Sequence, residues 1–142
     1  MNSRPKVVIC GSYHRDNQGL RRLFNELETT GCRILAPFSV DFESTRPEVV
    51  HTRHDGHLEI ADMELIHLTA IREADFVMAH IPAGHVGIST AYEIGYASAL
   101  NKPVFAFTKP DDVMLSAHTT VVRSAYEALS FLPGHQSAAR II

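Results

Sequence analysis

Concentrated positive charge is missing from this chain. It has no run of lysine and arginine, and 13 basic against 16 acidic residues leave a formal net charge of -3. Affinity for a phosphate backbone comes from clustered cations, so duplex nucleic acid is excluded as a partner. A free nucleotide is not excluded, because a few backbone N–H groups suffice to hold one phosphate. Long hydrophobic runs are missing as well. After Met1 to Lys6 the apolar stretch Val7 to Cys10 is too short for a signal-peptide core or a membrane span, and the expectation is a cytoplasmic protein without a membrane partner. Cysteine is scarce: Cys10 and Cys32 fall on predicted strands and fit neither a disulfide framework nor a four-ligand zinc site, so both read as reduced core residues. Internal repeats and low-complexity segments are absent. The 142 residues, 45% hydrophobic and 20% charged, suffice for one core and leave no room for a second, so a single domain over 1–142 is expected.

What is present alternates. Lys6 to Cys10 is an apolar run ending at Gly11-Ser12 and reads as a buried strand entering a tight turn. From Asn17 to Thr30, Leu20, Leu23, Phe24 and Leu27 recur at helical spacing, with Gly31 in the position of a left-handed cap. Cys32 to Ala36 gives a second strand, closed by Pro37. Phe38 to Gly56 has no sustained period, and an irregular stretch of that length in a compact domain reads as a lid over the site. Leu58 to Glu73 is a helix apolar almost all round, which implies burial by the sheet and by a further surface, such as a partner subunit. Phe76 to Ile81, Ser89 to Leu100 and Val104 to Thr108 follow as strand, helix and strand. Val113 to Leu132 adds one or two short helices, and the last ten or so residues read as poorly anchored. Strands alternating with helices imply an α/β, Rossmann- or flavodoxin-like three-layer sandwich, with a mostly parallel sheet of about four or five strands and right-handed crossovers. Ligands bind such sheets at the carboxyl ends of the strands.

Two glycine-containing turns fall at that edge: Gly11-Ser12-Tyr13-His14, and Pro82 to Thr90 with Gly84, Gly87 and Ser89. Glycine lets backbone approach a ligand closely, and the first N–H groups of a helix are free to bind an anion or a sugar hydroxyl. Neither turn carries the Gly-Lys-Ser/Thr ending of a Walker A loop. Glu93 reads as a first-turn residue of the third helix, where the helix dipole favours its charged form, as a nucleophile at an anomeric carbon requires. Thr90-Ala91-Tyr92-Glu93 equally fits a capping box in which Glu93 only holds the helix end. His67 shares a helix face with Met63, Ala70 and Ile71, one turn beyond Glu64. It reads either as a proton donor tuned by that carboxylate or as a core histidine satisfied by it. His51, His54 and His57 invite a metal reading, but the spacing is unspecific in a loop, and no metal is expected. Ser116 and His118 follow a polar loop near the same edge. Tyr13, Tyr92 and Phe38 either stack on a base or pack ordinarily.

Four segments together resemble the nucleoside 2-deoxyribosyltransferase superfamily, which includes the 2′-deoxynucleoside 5′-monophosphate N-hydrolases. They are Ile9-Cys-Gly-Ser12, Ala74-Asp75-Phe-Val-Met-Ala79, Gly87-Ile-Ser-Thr-Ala-Tyr-Glu93-Ile-Gly95-Tyr-Ala97 and Ala99-Leu-Asn-Lys-Pro103. The resemblance runs from about residue 6 to about 120, and the Gly-x-x-x-x-x-Glu-x-Gly-x-Ala block is its most specific part. It implies that Glu93 attacks the anomeric carbon, the base departs, and water or a second base resolves the glycosyl-enzyme, in the manner of retaining glycosidases. The second acid of the superfamily, an aspartate on the preceding helix, aligns with His67. By that resemblance His67 does the protonation, Glu64 or Asp62 substitutes for it, or activity is altered or lost. Leu115-Ser116-Ala117 is similar to the segment that sends a serine across a dimer interface to a 5′-phosphate, which makes Ser116 a candidate ligand in trans.

The resulting expectation is an enzyme that cleaves or transfers at the N-glycosidic bond of a nucleoside or nucleoside 5′-monophosphate, with Glu93 and His67 catalytic. Gly11, Ser12, Tyr13, Gly87, Ser89, Thr90 and Ser116 are the expected substrate-binding residues. No cofactor is expected, and the assembly is expected to be a homodimer or a larger homo-oligomer. Two alternatives stand beside it. One is a phosphoribohydrolase of the lysine-decarboxylase-like type, whose Pro-Gly-Gly-x-Gly-Thr signature is missing; the other is a catalytically silent nucleotide-binding sensor.

Overall fold

The computed structural model describes residues 4–37 and 60–134. Five strands form one parallel sheet in the order β2-β1-β3-β4-β5: β1 (Lys6–Gly11), β2 (Arg33–Ala36), β3 (Phe76–His80), β4 (Val104–Ala106) and β5 (Thr120–Val121). This is the flavodoxin-like doubly wound order. Among the described residues five helices accompany it: α1 (Asn17–Thr29), α2 (Ile60–Glu73), α3 (Ile88–Ala99), α4 (Val113–Ala117) and α5 (Ala125–Ser130). The sheet is parallel throughout, and its fifth strand is a two-residue addition within the stretch read from sequence as helix alone. His51, His54, His57, Phe38 and the rest of the expected lid lie outside the described residues.

The period of two along each strand sorts the core into two layers. Val7, Ile9, Phe76, Met78 and Phe105 face α1 and α5, meeting Leu20, Leu23, Leu27, Ala125 and Leu129. Val8, Cys10, Val77, Ala79 and Ala106 face the other way, toward Ala70 and Ile71 of α2 and Ile94 and Ala97 of α3. Because helices cover both faces, β1 and β3 are buried along nearly their whole length and read as unbroken apolar runs rather than alternating ones.

Local chemistry fixes the helix ends. Asp16 accepts a hydrogen bond from Gly19 N at 3.0 Å and opens α1. Gly31, at φ 89°, takes the left-handed position after it, as the sequence implies. On α2 the sheet side is buried at Ala70 and Ile71, while Leu65 and Ile66 are exposed among the described residues. No helix of the described residues is long and apolar enough to cross a membrane.

Candidate active site

The turn after β1 is set by one backbone contact. Gly11 sits at φ 128°, and a Cβ there would fall 2.1 Å from the carbonyl oxygen of His80. The next residue, Ser12, donates its N–H to that same oxygen at 3.0 Å. Only glycine allows the end of β1 to lie this close to the end of β3. The contact also commits the Ser12 N–H, leaving the hydroxyl as its polar group for a ligand. The turn after β3 is a short 3-10 segment, Pro82–Gly84, whose Gly84 O accepts from Asp111 N at 2.9 Å, tying this loop to the one after β4.

At this carboxyl edge, on the α2 and α3 face, three side chains from three elements converge. Cys10, the last side chain of β1, places Sγ 3.6 Å from His67 Nε2 of α2. That nitrogen lies 3.5 Å from Glu93 Oε1 of α3. Cys10 and Glu64 both act electrostatically on the Glu93 carboxyl. The group is enclosed: Cys10 is fully buried, and the side chains of His67 and Glu93 are 13% and 9% exposed. Burial first, then the negative charge of Glu64, pushes the Glu93 carboxyl up to about 9. Burial, reinforced by Glu93, also holds the Cys10 thiol well above its usual range.

Glu93 therefore departs from its sequence reading in two ways. Helix α3 begins at Ile88 with Gly87 as its N-cap and no side-chain cap, and its first turn holds no acidic residue. Thr90 is not a cap, and Glu93 stands a turn deeper than expected, so the capping-box reading fails. The dipole advantage fades beyond the first turn, and desolvation governs instead, favouring the neutral acid rather than the carboxylate.

The other expected residues divide. Thr90, buried, lies one turn before Glu93 on α3; Gly87 and Ser89 are exposed at the N-terminus of that helix. Tyr13 packs against the core layer of α1 and α5, and its hydroxyl donates to Ile9 O, which is the ordinary-packing alternative of its sequence reading. Asp62 is exposed on α2, outside the buried group, and so is His118. Ser116 is half-buried on α4, a helix that packs against α3. Cys10 is the residue the sequence reading missed. Its signal was available: it ends a strand, precedes the turn glycine, and shares Val8's face. A separate cleft of about 250 Å³ lies on the far face of the sheet, between α1, His80 and Phe107, and shares no residue with this group.

An open parallel α/β sheet with a buried carboxyl, imidazole and thiol at its carboxyl edge gathers perturbed groups at the edge where sheets of this class bind ligands. Residues 7–136 match the nucleoside 2-deoxyribosyltransferase family, and the chain belongs to that family. Among solved structures, the CMP N-glycosidase BcmB of Clostridium botulinum is similar, with a TM-score of 0.55 and 17% identity over 96% of this chain and 99% of that one. This likeness shows the shared fold. No curated sequence matches the chain. The family's name states transfer of a 2-deoxyribosyl group of a nucleoside, and the name of the Clostridium botulinum protein states N-glycosidic cleavage of CMP.

Proposed function

We propose that this protein cleaves the N-glycosidic bond of a nucleoside or nucleoside 5′-monophosphate through a glycosyl-enzyme on Glu93, passing the sugar to water or to a second base. The observation that carries the reading is the approach of His67 Nε2 to Glu93 Oε1 at 3.5 Å, which puts a proton carrier beside a candidate nucleophile at the ligand edge of the sheet. Glu93 reacts as the carboxylate after its proton passes to His67 Nε2, 3.5 Å away; it attacks the anomeric carbon, the bond to the base nitrogen breaks, and the electron pair leaves with the base as His67 gives that proton to it. Water, giving its proton back to His67, then opens the sugar–Glu93 ester; an acceptor base does the same in transfer.

Glu64 acts as a positioning residue that holds and tunes the Glu93 carboxyl. The uncapped first turn of α3, with Ser89 and Thr90, supplies donors for a sugar hydroxyl or 5′-phosphate. Ser116 reaches a neighbouring protomer's substrate in a cytoplasmic homodimer. The reaction uses no cofactor.

One observation favours a second reading, a catalytically silent nucleotide-binding protein: Glu93 is held neutral near pH 7. Chromatographic detection of free base separates the two. Ribo- and deoxyribonucleosides and their monophosphates are incubated with and without an acceptor base, using wild type and Glu93→Ala. Release that vanishes in the variant supports the glycosidic reading, and acceptor dependence distinguishes transferase from hydrolase. Binding of a nucleotide without release from any substrate establishes the silent binder.

A further inference from the structure

Cys10, His67 and Glu93 offer a sulfur, an imidazole nitrogen and a carboxylate oxygen, all within 4.8 Å of one another. They come from β1, α2 and α3, three elements locked together by the core, so their spacing is set by the fold rather than by a loop. A tetrahedral zinc shell with bonds of about 2.3 Å to sulfur and about 2.0–2.2 Å to nitrogen and oxygen has edges of about 3.6 Å between S and N and about 3.4 Å between N and O. The observed separations are 3.6 Å for Cys10 Sγ to His67 Nε2 and 3.5 Å for His67 Nε2 to Glu93 Oε1. Two edges of the shell thus exist already.

The donor set also selects its ion. Sulfur disfavours magnesium and calcium, whereas thiolate with imidazole suits zinc and its chemical relatives. Beside the group, Glu64 Oε1 is buried with no hydrogen-bond partner among the described residues. A buried acceptor left unsatisfied is costly, and a metal-bound water would supply its donor. We propose that Cys10, His67 and Glu93 form a binding site for a thiophilic divalent cation such as Zn²⁺, and that its occupancy withdraws Glu93 and His67 from glycosidic chemistry. The metal is an inhibitor of this site and takes no part in turnover.

The test reads metal directly and so stands apart from the fate of the glycosidic reading. Chelator-stripped protein is titrated with Co²⁺ while its thiolate-to-cobalt charge-transfer band is followed, and Zn²⁺ affinity is measured by competition with a chromophoric chelator. Wild type and Cys32→Ser give the band with one equivalent bound. Cys10→Ser and Cys10→Ala lose it, and these two and His67→Ala weaken Zn²⁺ by more than the roughly 10- to 100-fold typical of losing an outer-shell partner. A variant with His51, His54 and His57 all changed to Ala binds as wild type does. Where base release is measurable, one equivalent of Zn²⁺ stops it and a chelator restores it. No band in wild type, Zn²⁺ affinity surviving in both folded Cys10 variants, or affinity lost in the triple histidine variant overturns the proposal.

Discussion

Glu64 and Glu93 stand on helices in contact, α2 and α3, in an enclosed site where burial and the charge of Glu64 hold the proton on Glu93. Two like charges enclosed together cannot both be ionised cheaply, so the folded chain carries a standing electrostatic cost at neutral pH. Stability is given up where function is kept.

That cost has a sign and a pH window. The Glu93 pKa is raised from its ordinary 4.5 to about 9 on folding. Below 4.5 both states are protonated and there is no penalty; between 4.5 and 9 the unfolded chain has released a proton that the folded chain retains, and stability falls as pH rises. In chelator-containing buffer, Glu93→Gln keeps a neutral partner for Glu64 and removes the penalty. Its melting temperature at pH 8 is expected to exceed wild type by on the order of 5 °C, and scanning calorimetry at descending pH should show the advantage shrinking toward pH 5.

His67 is the proton donor of the proposed reaction. General acid catalysis contributes typically about 10²- to 10⁴-fold, so His67→Ala is expected to slow base release by that order. Substrates whose leaving base is already a good leaving group need less help, and the deficit should narrow with them. An equal deficit for all leaving groups would mean that His67 only positions Glu93.

Gly11 and Gly87 should respond oppositely to alanine. Gly11→Ala forces a Cβ to 2.1 Å from a backbone oxygen at φ 128°, whereas Gly87, at φ -75°, has nothing within 4 Å of its Cβ position. Urea unfolding is expected to show a loss of about 2–4 kcal/mol or failure to fold for the first, and a change within about 0.5 kcal/mol for the second.

Glu26 joins distant parts of the chain. Its Oε1 accepts from Ala125 N at 2.6 Å and so ties α1 to the first turn of α5. A carboxylate on an otherwise unpaired helix N–H is a charge-assisted bond. Glu26→Ala is expected to cost roughly 1–2 kcal/mol in chemical denaturation, with base release per folded molecule unchanged, since Glu26 lies on the face of the sheet opposite Glu93.

The scaffold was legible because burial on both faces writes β1 and β3 as continuous apolar runs, and because Leu20, Leu23 and Leu27 mark α1 by spacing alone. The short β5 was not, since two exposed residues paired only to β4 leave no pattern of their own. The convergence of Glu93 with His67 was foreshadowed by family resemblance; their neighbour Cys10 was hidden because a buried strand cysteine looks like any small apolar residue until the facing helices are placed. The bounds of α3 were read to within one residue, but Thr90 only mimicked a cap: Gly87 is the N-cap, no side chain caps the helix, and Glu93 lies beyond its first turn.

The measurement closest to the central claim is intact-mass and peptide mapping of the enzyme quenched during turnover, or trapped with a substrate analogue bearing a fluorinated sugar. The account predicts a single covalent sugar on the peptide containing Glu93, absent in Glu93→Ala. Base release that persists in Glu93→Ala, or a sugar attached to any other residue, would contradict it.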